Sequence, residues 1–404
     1  MRMTRMTMLL AGAAALFVTT AARAEPVTLE VWTVSPPDYH QTMAAEFEKA
    51  NPDIKINVKV VQFPDVVNDL ARAVATGGAP DVTYVDNPDI ALLVSKGLLT
   101  DLTPMVAASS IVKPADIYPG PLSAATYEDK LYAVPRGANT IALYYNADMF
   151  KAKGLDPEKP PTTWDEFHKA AKALNDPANN VYGLAFSAVG TEEGTFQFLP
   201  WLQMAGGDYD KLDTPGGIKA LEFWQTLLDE KLASPDTLVR GQYDSTATFN
   251  AGNAAMVISG PWELPRMSKE AKFDWRVAML PLPEPGAPRA SALGEGDNVV
   301  LAASEHPAEA FRFVEYMYSQ MPRVWNEFGY LPASKVSVSD PQYAAAFKTF
   351  DESMKFARNR GPSPEWSKIS KAIYTAVQSA LTHQSDAATA LKTAQATIDG
   401  LPGR

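Results

Sequence analysis

The chain has no cysteine and only four histidines among its 404 residues. Without cysteine there is no disulfide, Cys-ligated zinc, iron–sulfur cluster, Cys nucleophile or lipid-modified N-terminal Cys. The histidines are not at metal-ligand spacing, and His-Glu-x-x-His is absent. We therefore expect neither a metal site nor a cofactor.

The motifs of catalysis and phosphate binding are also missing. There is no Gly-x-Ser-x-Gly elbow and no phosphate loop ending in Gly-Lys-Ser/Thr. The segment 294–299 begins like a dinucleotide fingerprint, but Val299 replaces its third glycine. The adjacent acids Glu192 and Glu193 leave open a secreted carbohydrate-active enzyme, although such pairs arise readily among 47 acidic residues. The missing motifs disfavour an enzyme without excluding one, and we predict no catalytic residue.

Positive charge is scarce, with 36 Lys and Arg against 47 Asp and Glu and a net charge of −11. This balance disfavours binding to nucleic acid or to an anionic membrane. The hydrophobic content of 46% and the charged content of 21% are typical of a folded protein. The length favours two or three domains.

The first 24 residues have the three-part pattern of a secretory signal peptide. Arg2 and Arg5 precede the apolar run 8–18, and a small-x-small cleavage pattern ends at Ala24. The apolar run is too short for a membrane-spanning helix, which needs about 20 residues. We predict cleavage after Ala24 and export to a Gram-negative periplasm without a lipid anchor.

The rest of the chain alternates between strand and helix patterns, which predicts an α/β fold with parallel strand pairing at its start. The predicted strands are 27–33, 54–61, 82–85, 131–134 and 141–145. The predicted helices are 40–50, 65–75, a helix ending at 174 that opens with the capping box Thr163-Trp-Asp-Glu166, 216–232, 309–318, 366–383 and 387–398.

Aromatic residues fall near predicted strand ends and turns, where ligand clefts of open α/β sheets lie. Trp262 follows a buried strand, 255–259, and a Gly-Pro turn, and Trp32 lies in the first strand. Flat aromatic faces together with Asp, Asn and Arg side chains are the groups that recognise sugars. Trp201 and Trp224, in contrast, are predicted core residues.

A series of short segments resembles the family 1 extracellular solute-binding proteins of ABC transporters, the group that includes maltose-binding protein. The resemblance extends through the chain after residue 24, in family order. The segments are Leu29-Glu-Val-Trp32, 47–54, Gly77-Gly-Ala-Pro-Asp-Val82, 97–104, 142–150, Pro161-Thr-Thr-Trp-Asp-Glu-Phe167, 249–256, Ser259-Gly-Pro-Trp262 and Gly329-Tyr-Leu-Pro-Ala333.

The resemblance implies a periplasmic binding protein fold, with two α/β lobes joined by a hinge and a ligand cleft between them. It places residues 25–136 and 297–332 in lobe 1, and residues 137–296 and 333–404 in lobe 2. It implies a monomer that binds a sugar or small glycoside and delivers it to permease subunits in the inner membrane, driven by a separate ATPase.

The resemblance also implies ligand-binding residues. Trp262 matches the sugar-stacking position, and Asn139 stands where a relative has a ligand-contacting Glu, a replacement that removes a charge. The other implied ligand contacts are Asp86, Glu193, Phe196, Gly294, Glu295 and Trp366, with Trp32 added from the aromatic pattern. Arg136 and Arg360 are basic candidates, and if they face the cleft an anionic sugar is favoured.

Two alternatives remain at this stage. One is a binder of an anionic sugar, a glycerol-phosphate-type solute or another non-sugar such as a polyamine on the same fold. The other is the carbohydrate-active enzyme that uses Asp and Glu.

Overall fold

The computed structural model describes residues 25–34 and 38–402, and the predicted signal peptide lies outside this range. The strands are β1 Val27–Val34, β2 Ile54–Val61, β3 Val82–Asp86, β4 Thr126–Tyr127, β5 Lys130–Leu131, β6 Ala133–Pro135, β7 Ala142–Asn146, β8 Met256–Ser259, β9 Trp275–Ala278, β10 Ser291–Ala292, β11 Gly296–Val300 and β12 Ala357–Arg358. The α-helices are α1 Asp38–Ala50, α2 Val66–Thr76, α3 Ile90–Ser95, α4 Thr103–Ala108, α5 Pro119–Ala124, α6 Ala147–Ala152, α7 Trp164–Leu174, α8 Glu192–Met204, α9 Pro215–Asp229, α10 Gln242–Asn250, α11 Leu264–Glu270, α12 Pro307–Ser319, α13 Val324–Phe328, α14 Ala344–Met354, α15 Trp366–Leu381 and α16 Ala387–Asp399.

A five-stranded sheet has the order β2-β1-β3-β11-β6. β1 pairs in parallel with both β2 and β3, which confirms the parallel start predicted from the strand–helix alternation. β11 enters from far along the chain and lies antiparallel between β3 and β6. The ends of β3 and β6 are therefore brought beside the start of β11.

A three-stranded antiparallel sheet has the order β8-β7-β9. α15 packs against α8, α9 and α16. The predicted closing pair of helices is confirmed, and it contributes to a core around this second sheet.

The buried apolar side chains form two clusters. The larger surrounds the five-stranded sheet and includes Val31, Val85 and Phe313. The smaller includes the fully buried Trp201 and Trp224, the two residues predicted from sequence to be core. The partly buried Trp262 packs against both clusters, so the two cores meet at this residue.

Local sequence signals account for most element boundaries. The hydroxyl oxygen of Thr163 accepts a bond from the backbone N–H of Glu166 (3.3 Å) and caps α7, as the capping box predicts. The Glu166 carboxylate, however, accepts from the backbone of Thr162 instead of Thr163. The strand predicted at 131–134 is two short strands, β5 and β6, that belong to different sheets.

Two segments that connect the sheets lie side by side. The chain passes from β6 to β7 through residues 136–141, and Asn139 forms an isolated antiparallel bridge with Gly294 in the segment that leads to β11. Ala138 bridges Leu331 in a third segment. These neighbouring segments carry several of the side chains described below.

Candidate functional site

The principal cavity has a volume of about 510 Å³ and receives residues from the elements around both sheets. It contains six aromatic rings, seven charged side chains and several amide or hydroxyl groups. The lining residues are Val34, Gln62, Phe63, Pro64, Tyr84, Asp86, Arg136, Asn139, Val189, Thr191, Glu192, Glu193, Phe196, Gly241, Gln242, Tyr243, Asp244, Trp262, Gly294, Glu295, Tyr330 and Arg360.

The structure brings nine of the eleven predicted ligand-binding residues to this cavity. They come from sequence positions between 86 and 360, so their convergence depends on the tertiary fold. They are Asp86, Arg136, Asn139, Glu193, Phe196, Trp262, Gly294, Glu295 and Arg360.

Trp32 does not line the cavity. It lies on β1, is 5% exposed, and packs in the larger hydrophobic cluster. The ammonium of Lys59, its register partner on β2, lies 4.3 Å from the ring centroid. Trp32 lies inside β1 and not after its end, a difference that the aromatic pattern does not distinguish. Its side chain is therefore not in position to contact a ligand in the cavity.

Trp366 is also outside the cavity lining. It is 1% exposed at the start of α15 and makes an edge-to-face contact with Tyr209. Its indole N–H donates to Oε2 of Glu192 (3.1 Å), which does line the cavity. Trp366 therefore orients Glu192 through this hydrogen bond, without being in position to contact a ligand in the cavity itself.

Trp262 is presented to the cavity by the end of β8. The strand ends at Ser259, and the Gly260-Pro261 turn leads into a short 3-10 turn that carries the indole. The indole folds over Gly260, where a Cβ atom would lie 1.8 Å from the ring. The Gly-Pro turn of the sequence is thus required for this ring position, and Phe196 lies 6.3 Å away, between centroids.

Arg360 is the centre of a buried ionic cluster. Its guanidinium makes two parallel bonds of 2.8 Å to the carboxylate of Asp86 and a bond of 2.6 Å to Glu192. It also donates to the carbonyl of Leu293 (3.3 Å) and lies over the ring of Phe196 at 4.7 Å. This two-pronged geometry suits the planar guanidinium and leaves little of it free for a ligand.

Arg136 is the centre of a second buried cluster. Its Nε donates to Glu295, and its guanidinium carbon lies 4.3 Å from the ring centroid of Tyr84 and 4.8 Å from that of Tyr330. The other carboxylate oxygen of Glu295 accepts from the amide of Asn139 (2.7 Å). The connecting segments are therefore tied together by side chains at the cavity wall.

Glu295 occupies the left-handed region of backbone space, with φ of 84°. A non-glycine residue in this region is strained, and such residues concentrate at functional sites. The flanking glycines allow close packing, since a Cβ atom on Gly296 would lie 2.2 Å from the ring of Tyr84. The Gly-Glu-Gly sequence therefore sets a buried carboxylate between the bridge at Gly294 and the start of β11.

Three buried side-chain polar atoms of the lining residues have no hydrogen-bond partner within the part of the chain that the structure describes. They are Nη1 of Arg136, Oδ1 of Asn139 and Oγ1 of Thr191. Buried polar groups are normally paired, and an unpaired one costs about 1–3 kcal/mol. These atoms supply donors and acceptors that a polyhydroxylated molecule could use after a small shift of neighbouring side chains.

The charges of the cavity oppose the expectation of an anionic ligand. Arg136 and Arg360 do line it, but each is paired with carboxylates of the protein itself. Glu193 and Asp244 add two further carboxylates, so the lining is acidic. A carboxylate- or phosphate-bearing sugar would meet a negative field.

The paired acids Glu192 and Glu193 do not have the arrangement of a free catalytic pair. Burial raises the pKa of each carboxyl, and the charge of Arg360 opposes the rise at Glu192. Glu192 is bonded to Arg360 and Trp366, and Glu193 accepts from the backbone N–H of Gln242 (2.6 Å). Both carboxylates thus hold neighbouring elements in place.

The sequence reasoning missed Phe63, Glu192, Gln242, Tyr243 and Tyr330 as cavity residues. Tyr330 lies within the segment 329–333 quoted for the resemblance, and Glu192 adjoins the predicted Glu193, so both had a signal nearby. Phe63 comes two residues after β2 ends at Val61, so the strand-end pattern that singled out Trp262 also applied to it. Tyr243 follows no strand end, and only the tertiary structure brings it to the cavity.

In the part of the chain that the structure describes, no group of three or more acidic or histidine side chains is arranged to hold a metal ion. No helix within residues 25–34 and 38–402 is long and apolar enough to cross a bilayer. An α/β protein with two main sheets, connecting segments between them and a cavity lined by aromatic and polar residues from the elements around both has the form of a solute-binding protein.

Comparison with known proteins gives the family. The chain belongs to the bacterial extracellular solute-binding proteins, whose family model matches residues 34–322. It is 24% identical to a putative binding protein of Brucella abortus over 97% of both chains. It is 27% identical to a maltotriose-binding protein of Pyrococcus abyssi over 75% of this chain and 65% of that one.

Solved structures confirm the fold. An ABC transporter solute-binding protein of Thermotoga lettingae bound to α-D-tagatose is 27% identical, with a TM-score of 0.82 over 92% of this chain and 99% of that one. Maltose-bound MalE3 of T. maritima, at 22% identity, has a TM-score of 0.84 over 92% and 99% and shows the fold alone. The predicted family and fold class are therefore confirmed, and both are those of exported binding proteins rather than of enzymes.

Proposed function

We propose that this protein is the receptor of an ABC importer and that it binds a sugar or small glycoside in the 510 Å³ cavity. The observation that carries the proposal is the combination in one cavity of aromatic faces with carboxylate, amide and guanidinium groups. Relatives named for maltotriose, galactooligosaccharide and arabinooligosaccharide binding support a carbohydrate as the ligand class.

In this proposal the residues divide into two roles. Trp262, aided by Phe63 and Tyr243, stacks against the apolar faces of the sugar rings. Asn139 and Glu193 hydrogen-bond to hydroxyl groups, each good bond contributing about 0.5–1.5 kcal/mol net. The polar groups thus determine which sugar binds, while the aromatic rings provide affinity for sugars in general.

The two lobes would close on the ligand by hinge motion, a movement known for periplasmic binding proteins as a class. We assign residues 25–136 and 297–332 to lobe 1 and residues 137–296 and 333–404 to lobe 2. The five-stranded and three-stranded sheets are separate, which supports this division. The connecting segments that pair at Asn139–Gly294 and Ala138–Leu331 would form the hinge.

The remaining steps of transport lie outside this chain. We propose that the signal peptide is removed after Ala24 and that the mature protein acts as a monomer in the periplasm. Its loaded form would dock on inner-membrane permease subunits powered by a separate ATPase.

The test is a thermal-shift screen of residues 25–404 against neutral and anionic mono- and oligosaccharides, followed by calorimetry. Replacing the stacking ring in Trp262→Ala should cost about 2 kcal/mol of binding free energy, roughly 30-fold in Kd. Trp275→Ala is the matched control, since Trp275 is also partly exposed but lies outside the cavity. Equal affinity of the two variants would refute the stacking role.

The same ligands decide between a receptor and an enzyme. Incubation with each binding oligosaccharide, followed by product analysis, should return the sugar unchanged. Turnover that disappears in Glu192→Gln or Glu193→Gln would overturn the receptor proposal.

A further inference from the structure

The wall of the cavity formed by the start of α10 differs in charge from the rest. Glu193 and Asp244 are both part of the lining, and no basic side chain of the described residues pairs with either. The arginines nearest to them in sequence are already engaged, Arg240 with Asp236 (3.1 Å) and Arg266 with Glu263 (2.8 Å).

The geometry of this wall is held by the backbone. Oε2 of Glu193 accepts from the N–H of Gln242 (2.6 Å), the first residue of α10, and Asp244 lies in the first turn of the same helix. The charge of Asp244 adds to burial in raising the pKa of Glu193, which places the two carboxyl groups within electrostatic reach of each other. A Cβ atom on Gly241 would lie 2.7 Å from the Glu193 carboxylate, so the approach requires this glycine.

Aromatic rings complete the wall. Tyr243 stands between Gln242 and Asp244 in sequence and lines the cavity with Trp262. One face of Tyr243 is covered by the guanidinium of Arg266, whose carbon lies 5.1 Å from the ring centroid. Carboxylates beside aromatic faces form the environment that attracts organic cations, through charge and through the ring quadrupole.

The rest of the cavity does not offset this negative wall. Arg360 is shared between Asp86 and Glu192, and Arg136 is paired with Glu295 and enclosed by aromatic rings. The unpartnered atoms Arg136 Nη1 and Asn139 Oδ1 belong to other residues of the lining and are suited to hydroxyl groups.

We propose that the wall formed by Glu193, Tyr243, Asp244 and Trp262 is a subsite for a protonated amine, so that the preferred ligand is an amino sugar or a glycoside bearing a basic nitrogen. This inference rests on the proposed function, because it names the chemical class of the sugar. A neutral sugar would still fit the cavity, but it would leave the two carboxylates without a cation.

The test uses sugar pairs that differ only in an amine or hydroxyl at C2: glucose and glucosamine, galactose and galactosamine, mannose and mannosamine, and cellobiose with its diamino counterpart. Calorimetry at pH 6.5 and low salt should show at least one amine that binds about fivefold or more tightly than its hydroxyl partner, the gain expected of a screened ion pair. Glu193→Gln and Asp244→Asn should each weaken binding of the amine more than binding of its hydroxyl partner, and so reduce this ratio towards one.

The control Glu305→Gln makes the same charge change at an exposed position outside the cavity and should leave the ratio intact. If hydroxyl members bind as tightly as the amines, or if the ratio survives both cavity substitutions, the amine subsite is refuted while the receptor proposal stands. If no member of any pair binds, the amine subsite is refuted and the receptor proposal loses its carbohydrate.

Discussion

Removing the charge of Arg360 should be one of the most damaging single changes in the cavity. Arg360 is 4% exposed and bonds to Asp86 and Glu192 at once, so Arg360→Met leaves two carboxylates enclosed without a counter-ion. Breaking a buried pair by deleting one partner costs about 3–5 kcal/mol, most of it from the unpaired charge that remains. Methionine keeps much of the stem volume, which confines the loss to the guanidinium.

Arg358 provides the matched control two residues earlier. Its side chain is 43% exposed and pairs with Asp208 at 3.4 Å. Exposed ion pairs contribute about 0–1 kcal/mol, so Arg358→Met should change the free energy of unfolding by no more than that.

Urea denaturation followed by tryptophan fluorescence at pH 7 measures both variants, with the slope checked for constancy. The double variant Arg360→Met with Asp86→Asn should be more stable than Arg360→Met alone, because it removes one of the stranded charges. If Arg360→Met costs less than 1 kcal/mol, or if Asp86→Asn lowers stability further in its presence, the account of a buried ionic cluster is wrong.

Two other substitutions, at Gly294 and at the buried Glu263, test the structure independently of Arg360. Gly294→Ala would place a Cβ atom 2.1 Å from Oδ1 of Asn139 and 2.7 Å from the Phe196 ring, so we expect at least about a tenfold loss of ligand affinity by calorimetry, and an unchanged Kd would contradict the tight packing. Burial, opposed by Arg266, raises the pKa of Glu263 to about 8. The folded protein then binds this proton more tightly than the unfolded chain, and the wild type should lose stability relative to Glu263→Gln, by up to roughly 3–5 kcal/mol, between about pH 4.5 and 8. Denaturation curves for both proteins across that range would refute this if they stayed parallel.

Alternation in the sequence was enough to predict three strands of the five-stranded sheet. The strands at 27–33, 54–61 and 82–85 were placed to within a residue or so, because β-branched alternation and flanking turns are local signals. The entry of β11 between β3 and β6 had no such signal, since pairing between distant segments leaves no local pattern.

Part of the cavity was predictable from the sequence. Trp262 was found from the Gly-Pro turn that precedes it and from the family resemblance, and Gly294 was found from the resemblance alone. The ion pairs of Arg136 and Arg360 were not predictable, since their partners Glu295 and Asp86 are far away in the chain. This is why the sequence left an anionic sugar open as an alternative if both arginines face the cleft, whereas in the structure each arginine is paired with carboxylates of the protein.

The insertion of β11 has a consequence for how the chain acquires its structure. Gly296 pairs with Asp86, and until β11 is present β3 and β6 each have an open edge. At a synthesis rate of about 5–20 residues per second, ~10–40 s separate the synthesis of β3 from that of β11. Contacts between segments so distant in sequence form slowly. The N-terminal sheet thus stays incomplete until most of the chain exists, so the N-terminal part of the chain cannot complete it alone.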